Sequence, residues 1–274
     1  MSSGRREVVT FLSDYGLEDE FVGVCHGVML RIAPWLRIID VHHNILRQDI
    51  RHGLVVLAQS IAYLPEGVHL AVVDPSVGSE RRAVVIESGS GRSFVGPDNG
   101  LLLDAVDASG GVKRAFQITN EDVLLTPVSH TFQGRDVFAP AAAHLASGID
   151  PSELGPEVPA SDLVRLEVSH AWMHDDHLHA EVLQVDRFGN LQFNFVASHL
   201  EDIPLGHDDM LEVRMEGHRL NVPLCETFAD VEAGAFVLVE DSYRHISLAI
   251  NKGDAARKLQ ARAGSTAIVG PTHS

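Results

Sequence analysis

Apolar and polar positions fall into short blocks along the first half of the chain. Residues 8–12 form an apolar run that stops at Ser13 and Asp14, residues 21–32 carry apolar side chains at helical spacing, and residues 36–41 form a second run ending at His42-His43. A further helical stretch, 50–63, leads through the turn Leu64-Pro65-Glu66-Gly67 into a buried-type strand over 69–73. This β-α-β-α-β order predicts a parallel sheet with right-handed crossovers. Ligands of such sheets sit beyond the carboxyl ends of the strands. Three of these strands end in polar clusters: Asp14, then His42-His43-Asn44, then Asp74. Runs at 83–86 and 93–95 around Gly89-Ser90-Gly91 read as a hairpin, since neither the lysine nor the helix of a phosphate loop follows these glycines.

Beyond Gly148 the pattern changes. Pro151, Pro156 and Pro159 punctuate a stretch without periodicity that reads as a linker, and from Leu166 onward short alternating strands dominate, at 180–185, 191–195, 210–215, 235–239 and 246–250. The expected architecture is an α/β N-terminal domain with a central, mainly parallel sheet over residues 1–160. A smaller, mostly β, barrel-like C-terminal domain follows over 161–274.

Composition adds constraints. A chain of 274 residues with 45% hydrophobic content supports one large or two ordinary domains without covalent staples. Cys25 and Cys225 are far apart and lack the spacing of a metal knuckle or a redox pair, so a reducing, cytoplasmic setting is expected. There is no signal-peptide core and no membrane-length apolar run. With 38 acidic against 21 basic residues, the net charge of −17 disfavours nucleic acid and favours a small cationic ligand.

Four local stretches carry candidate chemistry. His174-Asp175-Asp176-His177 reads as a solvated hairpin tip rather than a metal site. In Val73-Asp74-Pro75-Ser76-Val77-Gly78 a strand end delivers a carboxylate, and Glu80-Arg81-Arg82 brings cations back to the same edge; the resulting pair suits either a site or a structural ion bridge. Asp98 or Asn99 suits a helix cap. Asp186-Arg187-Phe188-Gly189-Asn190 is a turn whose aromatic and amide could stack on and hydrogen-bond a purine.

Six stretches then occur in a telling order: SDYG at 13–16, VDPSVG at 73–78, GPDNGLL at 96–102, TFQGRDVFAPAAAHLA at 131–146, DRFGN at 186–190 and DSYRHISLAIN at 241–251. Together they resemble the S-adenosyl-L-methionine (SAM) hydroxide adenosyltransferases, relatives of the fluorinase and chlorinase, across nearly the whole chain. The resemblance implies an α/β domain followed by a β-barrel-like domain, assembled as a homotrimer that binds SAM between the N-terminal domain of one subunit and the C-terminal domain of the next. It implies displacement of L-methionine from the ribose 5′ carbon by water or hydroxide, giving adenosine, with SAM as substrate and no metal or other cofactor. By the same resemblance Asp74 and Arg81 orient and activate water, Asp14 receives the ribose hydroxyls, Asp186 and Ser242 hold the methionine end, and Phe188 and Asn190 line the adenosine pocket. Asp19 and Asn99 fall in matched motifs as further substrate-binding candidates. Tyr243-Arg244 departs from the serine-arginine pair of the halogenating relatives.

One departure bears on mechanism. Where the hydroxide branch has histidine in its T-F-H-G-R-D pattern, this chain has Gln133, which hydrogen-bonds both ways and takes no proton near neutral pH. Three outcomes are compatible with the sequence: hydrolysis with Asp74 as the only base, substitution by His130, or SAM binding without turnover. His130 is expected to face elsewhere, and Arg135 and Asp136 to pair with each other or cap the helix. Halogenation is disfavoured because a carboxylate at position 74 repels an incoming halide.

Overall fold

The computed structural model describes residues 4–201, 203 and 210–272. The chain divides into two compact units, Met1–Glu167 and Val168–Ser274.

The first unit is built on a six-stranded sheet of order β2-β1-β3-β5-β4-β6. Its strands are β1 (Val8–Ser13), β2 (Arg37–His42), β3 (Val68–Val72), β4 (Ala83–Ser88), β5 (Ser93–Pro97) and β6 (Val112–Gln117). The β2-β1-β3-β5 pairings are parallel and β5-β4-β6 antiparallel. Both faces are covered, which is why β3 is buried along its whole length. Alternate residues split between two cores: Val9, Phe11, Leu70 and Val72 pack with helices α1 (Phe21–Ile32) and α4 (Ala139–Ala146). Leu12, Ala71, Val84 and Ile86 pack on the opposite face with residues of α2 (Ile50–Ser60) and α3 (Leu103–Asp107). Asp49 starts α2 by accepting the His52 N–H at 2.9 Å.

The proline-bearing stretch after Gly148 is not a linker. Gln117 N donates to Pro156 O at 2.9 Å, Thr119 N to Leu154 O at 2.9 Å and Val158 N to Ala115 O at 2.8 Å, while Leu154, Val158 and Leu163 are buried. Proline lacks an N–H but keeps its carbonyl, so the segment still pairs along the β6 edge, accepting through the Leu154 and Pro156 carbonyls and donating through the Val158 N–H.

The second unit closes into a seven-stranded ring, β14-β10-β11-β12-β13-β9-β8 and back to β14, with β7 (Trp172–His174) added beside β8. Closure leaves the ring without an open edge. Its strands are β8 (His177–Val185), β9 (Leu191–Val196), β10 (Met210–Met215), β11 (His218–Cys225), β12 (Phe236–Glu240), β13 (His245–Ile250) and β14 (Thr266–Pro271). Phe193, Phe195, Val213, Leu248 and Val269 fill the interior, and a short helix, α5 (Ala255–Leu259), packs against it. The expected hairpin tip is present, with Asp175 and Asp176 at φ 46° and 59° between β7 and β8.

Both cysteines are free thiols. Cys25 is buried in α1, and burial pushes its pKa up to about 12; Cys225, at the end of β11, is half-buried. Among the described residues no helix is long and apolar enough to cross a membrane.

Candidate active site

Asp74 lies just past the carboxyl end of β3, where Pro75 turns the chain and Gly78, at φ +82°, supplies a left-handed residue. A side chain at Gly78 would stand 2.5 Å from the His130 carbonyl oxygen, so the loop passes close to the 130 segment. The loop returns Arg81 onto Asp74. Arg81 Nε lies 3.1 and 3.0 Å from the two carboxylate oxygens, and Nη2 also contacts Oδ2. Ser76 Oγ adds a contact to Oδ1 at 3.3 Å. The two side chains are 5% and 9% exposed, a buried ion pair of fork geometry.

Gln133 completes this group. Its Oε1 accepts from Arg81 Nη2 at 2.5 Å. A guanidinium only donates, so the amide oxygen is turned toward Arg81 and the NH2 is left for other partners. Gln133 precedes a π-helical turn, Gly134–Phe138, that runs directly into α4. A wider turn at this place permits close approach: a Cβ on Gly134 would meet the Tyr15 hydroxyl and stand 2.9 Å from Tyr15 Cζ. Arg135 and Asp136 pair with each other, at 2.6 and 2.8 Å, and Asp136 also accepts the Ser129 N–H at 2.8 Å. Burial works against the charge of Asp136, but Arg135 and the Ser129 N–H outweigh it and hold the carboxyl below its usual range. His130 is exposed.

Asp14 follows β1, the strand beside β3, and Ser13 stands opposite Val72 in the register. Its Oδ2 accepts the Gln48 N–H at 2.9 Å, while Gly16 N donates to His43 O at 2.7 Å, lacing the 14–16 and 43–48 loops together. Burial is the main force raising the Asp14 pKa; the Gln48 N–H opposes it and the nearby charge of Asp74 adds to it. Asp14, Asp19, Tyr15 and His43 line a cleft of about 620 Å³. Asn99 is placed differently. Its Nδ2 donates to Val73 O at 2.8 Å and its Oδ1 accepts from Leu101 N at 3.2 Å, so it fixes the backbone that carries Asp74. Asp98 does not cap α3; it is tied to Arg82 and to the Val164 N–H.

The remaining candidates gather in the second unit. Asp186, Phe188, Asn190 and Ser242 share one groove of about 350 Å³. Asp186 shapes its loop, taking the Phe188 and Asn190 N–H groups at 2.8 and 2.9 Å and the Asn190 side-chain amide at 2.7 Å. Phe188 is exposed on that loop. Arg244, at φ 69°, contacts Glu240 at 2.6 Å.

Two residues of this framework were not singled out by sequence reasoning. Tyr15 stands edge-on to Phe11 and Phe132 and against Gly134, and burial raises its pKa well above the usual value, so it is a neutral wall of the site. Asp241 accepts from Tyr243 N, His245 N, Gln192 Nε2 and Ser247 Oγ, which folds the loop bearing Ser242. An acid at the first position of a turn is a usable signal for the second; for Tyr15 the signal was its place in the SDYG stretch, which by itself does not show the packing against Gly134.

Comparison with known proteins matches the SAM hydroxide adenosyltransferase N-terminal domain to residues 9–155 and the corresponding C-terminal domain to residues 180–268. The chain belongs to the SAM hydroxide adenosyltransferase family. It is 47% identical over 251 residues to the (R)-S-adenosyl-L-methionine hydrolase of Salinispora tropica, covering 92% of this chain and 93% of that one. The (R)-S-adenosyl-L-methionine hydrolase of Thermus thermophilus is 41% identical over 270 residues, covering 93% and 96%. A crystal structure of an uncharacterized conserved protein from Thermotoga maritima superposes with a TM-score of 0.88 at 31% identity, covering 96% and 99%.

Proposed function

We propose that this protein hydrolyses SAM, with water displacing L-methionine from the ribose 5′ carbon to give adenosine. The observation that carries this reading is the buried Asp74 carboxylate gripped by Arg81 at the end of β3. SAM already holds its leaving group: as the C5′–S bond breaks, its electron pair neutralises the sulfonium. What the protein must supply is an aligned water relieved of a proton. Asp74 accepts that proton as the C5′–O bond forms, Arg81 keeps the carboxylate aimed, and the Gln133 amide donates to the water oxygen. The sulfonium leaving group makes a Lewis acid or redox cofactor unnecessary.

In the same reading Asp14 takes the ribose hydroxyls, and Asp19 lies along the cleft beside it. Asn99 holds the Asp74 backbone. Asp186 and Ser242 receive the methionine end, and Phe188 and Asn190 the adenosine. The working form is a cytoplasmic homotrimer with each site completed between subunits, as the family resemblance implies.

The test is incubation of the purified protein with SAM in buffer with and without chloride, followed by chromatography with mass detection. Equal adenosine in both, abolished in Asp74→Ala, is the expected result. SAM binding without adenosine would leave a binding protein, and a 5′-chlorinated product would overturn the argument from Asp74.

A further inference from the structure

We propose that His26, Asp40 and His43 form a binding site for a divalent transition-metal ion of the zinc type. None of the three belongs to the Asp74–Arg81–Gln133 group, and they come from separate places: His26 from α1, Asp40 from the edge strand β2 and His43 from just beyond it. Their donor atoms all lie within 4.8 Å of one another. His26 Nε2 is 2.8 Å and His43 Nε2 2.9 Å from the same oxygen, Asp40 Oδ1. Two imidazole nitrogens and a carboxylate oxygen aimed at one point form the donor set that a borderline cation takes and that magnesium or calcium does not favour.

The surroundings hold this convergence. The Phe11 ring stands edge-on to His43 at 4.6 Å and tilted against His26 at 6.1 Å, fixing both rings. Behind His43, Ser13 Oγ lies 2.7 Å from Nδ1. A metal-bound histidine normally gives its other ring N–H to such an acceptor. Without metal, each Nε2–H donates to Asp40; on binding, each ring shifts its proton to Nδ1, frees the Nε2 lone pair, and His43 Nδ1–H donates to Ser13 Oγ. The His43 side chain is 2% exposed, whereas His26 and Asp40 are 27% and 43% exposed, so an ion enters from the Asp40 side and keeps water in its remaining positions. Bound there, the ion would join α1 to the sheet edge beside the loop laced to Asp14.

The test uses the full-length protein stripped with a chelator, dialysed, and titrated calorimetrically with zinc chloride in the presence of excess magnesium. Saturable binding of one equivalent is expected at this site, weakened at least about tenfold in both His26→Ala and Asp40→Asn, with Ser13→Ala weakened by about tenfold or more as an outer-shell loss. Circular dichroism verifies that the variants remain folded, and His26→Gln substitutes for His26→Ala if the latter does not. Absence of saturable zinc binding would overturn the proposal. So would wild-type affinity in either the His26 or the Asp40 variant, because the metal would then sit on others of the 16 histidines.

Discussion

Arg81 Nη2 faces two oxygens at once, Oδ2 of Asp74 and Oε1 of Gln133. One guanidinium thereby links a loop after β3 to the mouth of α4, 52 positions further along the chain. In the proposed reaction its two partners have distinct tasks: the carboxylate is the base, and the amide, with its oxygen occupied by Arg81, is a donor.

Replacing Asp74 by Asn keeps the shape and removes the base. Adenosine formation is expected to fall by about 10²- to 10⁴-fold, the usual worth of a positioned proton acceptor. SAM affinity, read by calorimetry, should change far less. Parallel losses of affinity and rate would assign Asp74 to binding instead.

Gln133→His restores a group that can take a proton. The rate is expected to rise, with a new limb in the pH profile: activity falls as pH drops below about 6.5, where an ordinary imidazole becomes charged. A profile identical to that of the parent would show that position 133 only places the water.

Gly134→Ala forces a methyl group into the Tyr15 ring, whose Cζ would stand 2.9 Å away. Tyr15 is packed among Phe11, Phe21 and Phe132 and has little room to yield. The expected cost is about 1–3 kcal/mol, measured by chemical unfolding, as for other overpacked interiors. The companion change Gly134→Ala with Tyr15→Phe should recover part of it.

His69 gives the fold a predictable acid sensitivity. Burial, reinforced by the charges of Arg92 and Arg6, pushes its pKa down to about 3. Arg92 donates to His69 Nε2 at 3.3 Å, so the ring carries its proton on Nδ1, beside Thr10 Oγ1 at 2.9 Å. The unfolded chain binds this proton near pH 6.5 and the folded one only near pH 3, so stability rises with pH across that interval. Unfolding titrations should show its contribution lost on acidification from about 6.5 toward 3, at up to about 1.4 kcal/mol per pH unit, with a shallower slope in His69→Gln.

Much of this arrangement was readable where the information is local. The span 21–32 is helical because its periodicity has no competitor, and β3 is buried on both faces as its apolar run predicts. The Asp74–Arg81 pair was legible because both ends belong to one turn. β11 and β14 were not recognised: Arg219, Asn221 and Pro223 interrupt one, and Gly270-Pro271 ends the other, so only ring closure makes them strands. The stretch after Gly148 read as a linker because prolines hide acceptor pairing. The family resemblance placed Gln133 at the site, but its contact with Arg81 was not read from the sequence, and the approach of Gly134 to Tyr15 leaves no trace in either local pattern.

The two thiols differ in a way that is useful at the bench. Cys25 is sealed inside α1 with its proton firmly held, whereas Cys225 is partly open to solvent and adjoins Glu226, which lines the groove shared by Asp186 and Phe188. A maleimide dye therefore has one accessible address on the native chain. On the proposed reading of the groove, fluorescence from that address would follow ligand arrival without any amino-acid substitution.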